Sequence, residues 1–515
     1  MERGPAIARY ARQAGHHVTR RRRPRAARGG PRGCSSHRRA SGSRRGDVAM
    51  TPRLRALAAR GPIHFMGVCG AGMAPLAEMV LRSGAEATGC DLVRGRPVEV
   101  LCSLGMGFAL GHDPAHVESV AAVVVTSAVP SDHPELQAAR ARGIPVLKRS
   151  VALGQWVNEG RVVGIAGTHG KTTTTAMATH VLEHAGVDPT GVVGGEVRGW
   201  GGNLRPGGSD VFVVEADEYD RSFLDLDPGV AVVTNVEADH LDVYGDLAGV
   251  RTSFSDFVDR LDPGGTLWVC GDDPGAARIG VEGGARTRSY GLGAGVSLRG
   301  TLVRDNGSES VFRVTEDGVS GGDMTVPLPG LHNVRNALAA AGVGRSFGAA
   351  WDDIRSGLAS FPGVGRRYDI LGVAGGVQVI DDYAHHPTEI SATLAAARRA
   401  NPGRRIVAVF QPHLFTRTRD FHTEFGGALA AADLVWVTDV YPAREKRLPG
   451  VTGELVARAV RGTDTRYHAE LATLPDRVAG ELSHGDVCVV MGAGSIEGAG
   501  SGIVDRLADR AEAPR

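Results

Sequence analysis

Short apolar runs alternate with stretches of helical spacing along most of the chain, a pattern typical of parallel α/β folds. The first unit has an apolar run at 63–66, a glycine-rich loop at 67–73 and helical spacing at 74–82. A second strand ends at Gly89-Cys90-Asp91, about 20 residues beyond the loop. Further strands are predicted at 120–127 and 145–147. This is the arrangement of a nucleotide-binding unit. Because Cys69 replaces the second glycine of the loop pattern, a tight structural turn is about as good an interpretation.

The next unit carries the strongest candidate chemistry. A strand is predicted from Arg161 to Gly167, followed by a loop at 168–173 and a helix at 174–184. Amides of such a loop bind phosphates, a lysine adds positive charge, and the next hydroxyl holds Mg²⁺. Ile165 stands where the general P-loop pattern has glycine, so GTHGKT is a variant and a structural turn is the alternative. The chain has three lysines against 55 arginines, which indicates that Lys171 is required as a lysine.

Two further buried runs end in polar side chains. The run at 210–215 ends in carboxylates at 215–218, and the run at 229–234 leads to Asp239 and His240. The carboxyl ends of parallel strands face one crevice, so these groups are candidates for metal binding. A solvated turn and a structural histidine are the alternatives.

A third α/β rhythm begins at about Gly363. Its strands are predicted at 378–380, 406–410, 434–437 and 487–491. The loops that follow them carry Asp381, Asp382, Tyr383, His385, His386, His413, Asp439, Tyr441 and the glycine-rich segment 492–495. If the sheet is parallel, these side chains meet at one edge. Their clustering predicts a functional site.

Chain length and the changes in rhythm predict three α/β domains, at roughly 100–200 residues each. Their predicted bounds are 50–158, 159–362 and 363–515. Residues 1–49 form a separate segment without apolar periodicity and are expected to be disordered.

Net charge separates this segment from the rest. Residues 1–49 contain fourteen arginines and two acidic residues, a charge of +12, which leaves −11 for the remainder of a chain whose total is +1. A nucleic-acid-binding arm and a transit peptide are possible interpretations. The favoured hypothesis is that translation starts at Met50 and that the segment is not native.

Composition excludes several classes. No stretch approaches ~18 consecutive apolar residues, so no membrane span is predicted. The six cysteines lack CxxC or Cys/His spacing, which argues against disulfides and a structural zinc and fits a cytoplasmic protein. Aromatic residues make up 5%, too few for a stacking surface along single-stranded nucleic acid.

The motifs together resemble the Mur ligase family, ATP-dependent amide-forming ligases of peptidoglycan synthesis. The resemblance covers the chain from about Pro62 to its end. It is carried by HFMGVCGAGM, GTHGKTTT, EADEYDRSF, NVEADHLD, PGLHNVRNALAA, IDDYAHHPTEI, FQPHLFTRT, DVYPARE and GAGSI, in the family's order.

The resemblance implies a Rossmann-like N-terminal domain that binds a UDP-sugar, a central P-loop ATPase-like α/β domain, and a Rossmann-like C-terminal domain that binds an amino acid and closes over ATP. The residues implied to bind the UDP-sugar are Gly70, Gly72, Met73, Asp91 and His112. Those implied to bind ATP are Gly167, Thr168, His169, Gly170, Lys171, Thr172, Thr173, His332, Asn333, Asn336, Arg367 and Asp382. Those implied to frame the amino acid are Tyr383, His385, His413 and Arg417. The implied metal ligands are Thr172, Glu215 and His240, and the implied catalytic residues are Lys171, His240, Arg367 and His385.

Within the family the motifs look most like the alanine-adding branch, which implies ATP, Mg²⁺, UDP-N-acetylmuramate and L-alanine as ligands. It implies a cytoplasmic monomer or weak homodimer without nucleic-acid or membrane partners. The substrate carboxylate would attack the γ-phosphate, and the amine would attack the resulting acyl phosphate, with His385 or His413 as candidate base. Sister ligases use a carbamoylated lysine, which is impossible here because no lysine lies between Lys171 and Lys446.

Two positions depart from the family pattern. Cys69 replaces a glycine of the first loop, and Leu414 stands where many relatives carry arginine, which shifts anion binding to Arg417. One rival is a recycling ligase that adds a preformed tripeptide to the same UDP-sugar. An NAD-dependent dehydrogenase with Asp91 as the ribose acid is the alternative from another class.

Overall fold

The computed structural model describes residues 53–443 and 445–512. The interpretations of residues 1–49 fall outside that part of the chain. Within it, three β-sheets with flanking helices follow one another, which confirms the expected three-domain α/β fold. The domain bounds themselves stay predictions.

The first sheet is fully parallel. Its strands are β1 (Ile63–Met66), β2 (Ala87–Asp91), β3 (Gly107–Leu110), β4 (Ala122–Val125) and β5 (Val146–Lys148). The helices are α1 (Leu54–Ala58), α2 (Ala74–Arg82), α3 (Pro97–Ser103), α4 (Pro134–Ala141) and α5 (Arg149–Val157), with a 3₁₀ turn at Pro114–Val117. The strand order is β3-β2-β1-β4-β5, so successive strands are added on one side of β1 up to β3 and on its other side from β4 onward. A crevice at such a reversal is where doubly wound sheets bind ligands.

The second sheet has ten strands. They are β6 (Arg161–Ala166), β7 (Thr190–Val197), β8 (Gly202–Arg205), β9 (Val211–Glu215), β10 (Pro228–Val233), β11 (Thr266–Cys270), β12 (Thr287–Gly291), β13 (Leu298–Asp305), β14 (Ser310–Glu316) and β15 (Val319–Val326). The helices are α6 (Lys171–His184), α7 (Leu241–Tyr244), α8 (Leu247–Asp259), α9 (Pro274–Gly283), α10 (Leu331–Ser346) and α11 (Trp351–Ala359), with 3₁₀ turns at Tyr219–Asp225 and Gly284–Arg286. The order is β15-β14-β13-β12-β11-β10-β6-β9-β7-β8. Strands β6, β9 and β10 lie side by side and parallel, so the loops after them meet at one edge.

The third sheet is parallel except for its first strand. Its strands are β16 (Asp369–Ala374), β17 (Val377–Asp382), β18 (Ile406–Phe410), β19 (Leu434–Val437), β20 (Asp464–Tyr467) and β21 (Val487–Met491). The helices are α12 (Pro387–Ala400), α13 (Phe415–Leu429), α14 (Gly453–Ala459), α15 (Leu474–Glu481) and α16 (Glu497–Glu512), with a 3₁₀ turn at Leu471–Thr473. The order is β16-β17-β21-β18-β19-β20, with only β16 antiparallel to its neighbour.

Helix α10 is packed unusually close to the central sheet. Its residues from Ala337 to Gly344 are all buried, and a Cβ at Gly342 would lie 2.8 Å from the Trp268 ring. Small side chains therefore let the helix backbone approach the sheet. This close packing holds Asn333 and Asn336, on the first turns of α10, beneath the loop that precedes α6.

Several elements differ from their sequence prediction. Helix α6 begins at Lys171 rather than Thr174, because Gly170 takes a left-handed conformation at its N-terminus. Strand β17 extends to Asp382, so two residues expected in a loop belong to the sheet. The hairpins of β13, β14 and β15 were not predicted. No described helix has both the length and the apolar character needed to cross a bilayer.

Candidate active site

The loop between β6 and α6 requires glycine at two positions. Gly167 has φ 141°, and a Cβ there would lie 1.8 Å from the Thr234 hydroxyl. Gly170 has φ 81°, and a Cβ there would lie 2.7 Å from Oδ1 of Asn336. Residues with a side chain rarely adopt such φ values, so glycine is needed at both positions to form the turn that leads into α6. The amides of Thr168 and His169 donate to Asn235, so the N-terminus of α6 forms the anion-binding geometry.

Lys171 lies inside this loop and is paired with a buried carboxylate. Its Nζ donates to the carbonyl oxygens of Gly167 and Thr168 at 2.7 and 3.2 Å, and to Glu218 Oε1 at 3.0 Å. Burial opposes its positive charge, but the carboxylates of Glu218, Asp217 and Glu215 outweigh burial and raise the pKa of Lys171. Lys171 is therefore charged at neutral pH.

Glu218 is the least solvated carboxylate of the group. Its residue is 3% exposed, and burial raises its pKa to about 7, against the opposing attraction of Lys171. Its carbonyl oxygen accepts a hydrogen bond from the Tyr244 hydroxyl. Glu218 is thus the counter-ion of Lys171 in this structure.

Thr172 and Glu215 supply a pair of oxygen donors beside the loop. The Thr172 hydroxyl donates to Glu215 Oε1 at 2.9 Å, and Glu215 Oε2 accepts from the Gly194 amide at 2.6 Å. A hydroxyl and a carboxylate at one point are the hard ligands that Mg²⁺ prefers. His240 follows β10, and its Nδ1 is a buried nitrogen with no hydrogen-bond partner among the described residues. The residues present therefore fit a magnesium ion.

A cavity of about 340 Å³ opens beside the loop. Among its lining residues are His169, Gly170, Thr173, Tyr290, His332, Asn333, Asn336, Arg367, Tyr368 and Asp382. Asn336 bridges Thr174 and Asn333, at 3.2 and 3.3 Å, so its amide is fixed in orientation. Burial, together with nearby arginines, lowers the pKa of His332 to about 4, so this ring is neutral and able to accept a hydrogen bond. The cavity thus presents amide and imidazole groups of fixed orientation, which are the groups that a nucleobase site uses.

Glu389 of the third domain connects that domain to the phosphate loop. Its carboxylate forms ion pairs with His169 Nδ1 at 3.3 Å and with the Arg367 guanidinium at 3.6 Å. Burial opposes the charge of His169, but Glu389 and Glu237 outweigh it and raise its pKa to about 9. Thr388 also donates to Glu237 at 2.6 Å. These contacts close the third domain onto the central one, with Arg367 facing the cavity.

The end of β17 and the loop after it present oriented polar groups to the same cleft. Asp382, the last residue of β17, accepts from the amides of Tyr368 and Ala384, each at 2.8 Å, and burial raises its pKa to about 6. Nδ1 of His385 donates to the Tyr383 carbonyl at 3.0 Å, which leaves Nε2 as an acceptor. Burial lowers the pKa of His385 to about 3, so its imidazole is neutral.

Arg417 forms a buried ion pair with Asp239 between the two domains. Its Nη2 and Nε donate to Asp239 Oδ1 at 2.6 and 3.1 Å, and both residues are buried. Its Nη1 lies 3.3 Å from His413 Nδ1, and the His413 ring stacks on Tyr441 at 5.7 Å. The His385 and His413 rings are 5.9 Å apart. Arg417, His413 and His385 thus form one polar wall.

The sequence-predicted residues of the first domain form a separate group at the loop after β1. A Cβ at Gly72 would lie 2.8 Å from the Arg149 guanidinium, so an arginine faces this loop. Met73 is buried in the core, and its amide donates to the Gly70 carbonyl at 2.8 Å. Asp91 accepts from the Cys69 amide at 2.9 Å and fixes the loop. His112 instead lies 3.1 Å from Cys90 Sγ.

The two departures from the family pattern have local explanations. The Cys69 side chain points to the segment after β2, where its Sγ contacts the Val93 carbonyl at 3.3 Å and the Gly95 amide at 3.4 Å. Leu414 is buried and has φ 68°, an unusual backbone for a leucine. His240, Arg366 and Tyr368 also have positive φ, so such backbones cluster around this cleft, as they do at functional sites.

Sequence reasoning missed three charged residues that contact the predicted ones, namely Arg149, Glu237 and Glu389. It named Glu218 and Asp239 only as candidates for metal binding, whereas the structure pairs them with Lys171 and Arg417. Glu237 and Glu389 lie inside motifs already recognised, NVEADH and HHPTE. Their roles depend on partners from another domain or strand, which no local pattern indicates.

Replacing Gly170 by alanine tests the loop geometry. We expect a loss of about 1–3 kcal/mol in stability, from the backbone strain and the close approach to Asn336, and about a tenfold rise in KM for ATP, since the loop must shift. Gly186→Ala is the matched control, because Gly186 has φ 73° with open space around its Cβ position. Thermal unfolding and ATP titrations of both variants check this. Equal KM values would contradict the geometry.

Fold and site together define a three-domain nucleotide-dependent enzyme with a P-loop-type phosphate site between two domains. Family models match each domain. They are the Mur ligase family catalytic domain at residues 62–161, the Mur ligase middle domain at 165–344 and the Mur ligase glutamate ligase domain at 366–494. The chain belongs to the Mur ligase family.

Individual relatives agree over most of the chain. It is 44% identical to the UDP-N-acetylmuramate–L-alanine ligase of Acidothermus cellulolyticus, over 84% of this chain and 92% of that protein. It is 43% identical to the enzyme of the same name from Salinibacter ruber, over 86% of this chain and 94% of that protein. The crystal structure of the Thermotoga maritima UDP-N-acetylmuramate-alanine ligase superposes with a TM-score of 0.74 at 28% identity, over 87% and 99%. A murein peptide ligase from Psychrobacter arcticus has the same fold, with a TM-score of 0.65 at 24% identity, over 87% and 99%.

Proposed function

We propose that this enzyme joins L-alanine to the lactyl carboxylate of UDP-N-acetylmuramate, with conversion of ATP to ADP and phosphate, in peptidoglycan precursor synthesis. The observation that supports this most is the cleft itself, in which the phosphate loop of one domain faces the His385, His413 and Arg417 wall of the next. Relatives that share more than 40% of the sequence and carry this activity in their names support the same substrates.

The first half of the reaction occurs at the phosphate loop. ATP binds with its base in the cavity beside Asn336 and His332, and its phosphates displace Glu218 from Lys171. A carboxylate oxygen of the sugar nucleotide attacks the γ-phosphorus. The new P–O bond forms while the bond to the β-phosphate oxygen breaks, giving an acyl phosphate and ADP. Lys171 and Arg367 stabilise the negative charge on the transferring oxygens.

A magnesium ion at Thr172 and Glu215 would neutralise phosphate charge when bound. Thr172 and Glu215 are held for this by their mutual hydrogen bond and by the Gly194 amide. We assign His240 to the same site, as a ligand or as a partner of bound water. Burial lowers its pKa, which keeps the ring neutral and able to bind.

The second half occurs at the wall formed by the third domain. We assign Arg417 to the alanine carboxylate, through the guanidinium nitrogen that faces His413 rather than Asp239. The free amine attacks the acyl carbon, a C–N bond forms, and the C–O bond to phosphate breaks. The amine proton leaves to solvent or to a wall imidazole. In the first domain, Gly70, Gly72 and the Arg149 guanidinium are assigned to the diphosphate of the UDP-sugar, near Asp91 and His112.

We further propose that the enzyme acts in the cytoplasm, as a monomer or weak homodimer that needs no nucleic-acid or membrane partner. The five cysteines in the described part of the chain are free thiols, in keeping with a reducing compartment.

The activity is tested by measuring phosphate release with UDP-N-acetylmuramate, ATP and one acceptor at a time. We expect L-alanine to stimulate release and the tripeptide L-alanyl-γ-D-glutamyl-meso-diaminopimelate to have no effect. Mass spectrometry of the product identifies the new amide. Stimulation by the tripeptide alone would assign the enzyme to the recycling reaction instead, and omission of UDP-N-acetylmuramate is the control.

Replacing His385 by alanine separates binding from proton transfer. Because its neutral imidazole is a weak base, we expect it to orient the amine rather than to remove its proton. KM for L-alanine should rise about tenfold, the value of one hydrogen bond to a charged group, with kcat reduced much less. Steady-state kinetics check this, with the exposed His484→Ala as a control in the same domain. A large fall in kcat at unchanged KM would instead make His385 the general base.

A further inference from the structure

The first domain contains a second cluster of ionisable side chains, apart from the nucleotide cleft. It comprises His64 on β1, Cys90 on β2, His116 in the 3₁₀ turn and Glu135 on α4. One potential ligand atom from each residue lies within 4.8 Å of all the others. The roles assigned to the nucleotide and amino-acid sites use none of these four side chains.

Four of the six distances between these atoms lie between 2.8 and 3.6 Å. His64 Nε2 lies 2.8 Å from Glu135 Oε1 and 3.3 Å from Cys90 Sγ. His116 Nδ1 lies 3.2 Å from Glu135 Oε1, and Cys90 Sγ lies 3.6 Å from the same oxygen. Around a tetrahedral zinc ion with Zn–S of about 2.3 Å and Zn–N or Zn–O of about 2.0 Å, neighbouring ligand atoms are roughly 3.3–3.6 Å apart. Most of the observed separations need little change to match that geometry.

Three of the four side chains are buried, and neighbours brace the cluster. His64, Cys90 and Glu135 are 1%, 0% and 0% exposed, and the His116 side chain is 21% exposed. Nδ1 of His64 lies 2.8 Å from the Thr88 hydroxyl, which fixes the ring with Nε2 directed into the cluster. This is the second-shell contact that metal-binding histidines make. His112 flanks the group, with Nδ1 3.3 Å from Glu135 Oε2.

The alternative is a buried hydrogen-bond network held by protons alone. Burial opposes ionisation of Glu135, but hydrogen bonds and charge from His64 and His116 outweigh it and lower its pKa. Burial and the Glu135 carboxylate raise the pKa of Cys90, so without a cation the thiol stays protonated. A proton network gains nothing specific from sulfur at position 90, whereas one thiolate, two imidazoles and one carboxylate form a complete tetrahedral ligand set.

We propose that His64, Cys90, His116 and Glu135 bind a structural Zn²⁺ ion. Four protein ligands complete a tetrahedral coordination and leave no open position for catalysis. The mixed nitrogen, sulfur and oxygen set excludes Mg²⁺ and Ca²⁺, which take oxygen ligands. The sequence prediction against zinc used local spacing, but these ligands lie on four elements, with Cys90 26 residues after His64 and 45 before Glu135.

The ion would brace the first nucleotide-binding loop. His64 stands three residues before Gly67, where the loop begins, and Cys90 precedes Asp91, whose carboxylate holds the Cys69 amide. A metal bound by residues of β1, β2 and α4 would fix the end of β1, where the loop begins, and the end of β2, where Asp91 lies. Zinc loss is therefore expected to loosen the first domain without touching the phosphate site of the second.

Metal analysis of the full-length protein tests the proposal. The protein is purified without an immobilised-metal step, incubated with ZnCl₂ and excess MgCl₂, and desalted. We expect about one zinc per chain in the wild type and in the control Cys102→Ser, and about tenfold less in Cys90→Ser and Glu135→Gln.

Cobalt-substituted wild type should show a thiolate-to-metal charge-transfer band that Cys90→Ser lacks. A chelator should lower the wild-type unfolding temperature by about 4 °C and leave that of Cys90→Ser unchanged.

Three outcomes would overturn the proposal. One is a wild type that retains no stoichiometric zinc and ignores the chelator, which leaves a proton network. Another is full zinc retention and an unchanged cobalt spectrum in Cys90→Ser. The third concerns a cluster at the domain interface, His169, Glu237 and His386, whose atoms are also within 4.8 Å of one another. If His386→Asn removes the zinc and Cys90→Ser does not, the metal sits there instead. The chelator experiment needs no variant, so misfolding of Cys90→Ser leaves the proposal testable.

Discussion

Replacing Lys171 by methionine is expected to lower kcat about a thousandfold, the loss seen when a preorganised charge at a transition state is removed. Lys171 is the cation held inside the loop between β6 and α6, 2.7 Å from the Gly167 carbonyl, and its counter-ion is the Glu218 carboxylate. The effect should appear in single-turnover formation of ADP as well as in steady-state turnover.

A second variant separates charge at the transition state from charge balance in the fold. Methionine at position 171 leaves Glu218 buried without its ion-pair partner, which costs stability. Since burial already raises the pKa of Glu218 to about 7, protonation relieves part of that cost. The double variant Lys171→Met with Glu218→Gln removes both charges, so it should recover stability but not activity. Recovery of both would make Lys171 a structural residue only.

The exposed Lys446 provides the matched control. Lys446→Met makes the same substitution in the same protein and should leave kcat within about twofold, because an exposed charge is screened by solvent. Lys171→Arg adds a test of shape. Arginine keeps the positive charge, but its planar guanidinium does not fit a position enclosed by two loop carbonyls. We therefore expect kcat of Lys171→Arg to stay close to that of Lys171→Met.

The order of elements and the phosphate loop were predictable because they depend on local sequence. Apolar runs of strand length ending in glycine or acid predicted β6, β9 and β10, and these lie adjacent and parallel. Helix α6 began three residues earlier than predicted, since helical spacing does not reveal that Gly170 adopts a left-handed conformation. Strands β13 to β15 alternate irregularly, and their hairpins depend on pairing with the sheet edge.

The links between domains were not predictable from local pattern. Glu389 looks like an ordinary first-turn acid of α12, yet it pairs with His169 from the central domain, more than two hundred residues earlier. Arg149 begins α5, directly after β5, and lies against Gly72 of the first loop in its own domain. Such contacts depend on how separate elements and domains pack together, which the spacing of residues within one element does not indicate.

The buried pair of Arg417 and Asp239 carries the second large expected effect. Replacing Arg417 by methionine should destabilise the protein by about 3–5 kcal/mol, since it leaves a buried carboxylate without its partner. It should also raise KM for L-alanine strongly, because the same guanidinium faces His413 on the amino-acid wall. Arg419→Met is the control on the same helix, since Arg419 is exposed and pairs with Asp420, and it should cost less than about 1 kcal/mol.

The double variant Arg417→Met with Asp239→Asn distinguishes the two roles of this pair. With both charges removed, most of the stability should return, while KM for L-alanine stays high. Equal recovery of stability and KM would show that Arg417 holds the domains together without binding the amino acid. Thermal unfolding and alanine titrations give the two readouts on the same samples.

The pH dependence of stability gives an independent measurement of this pair. Burial opposes ionisation of Asp239, but Arg417, with His240 and His385, outweighs it and lowers its pKa below the ordinary value of about 3.9. A lowered pKa means that the pair's contribution is complete above pH of about 4 and is lost as pH falls toward the native pKa. Between pH 5 and 8 the difference in stability between wild type and the double variant should therefore stay constant, and it should shrink below about pH 4. A difference that changes across the neutral range would show that Asp239 does not control the pH dependence of this pair.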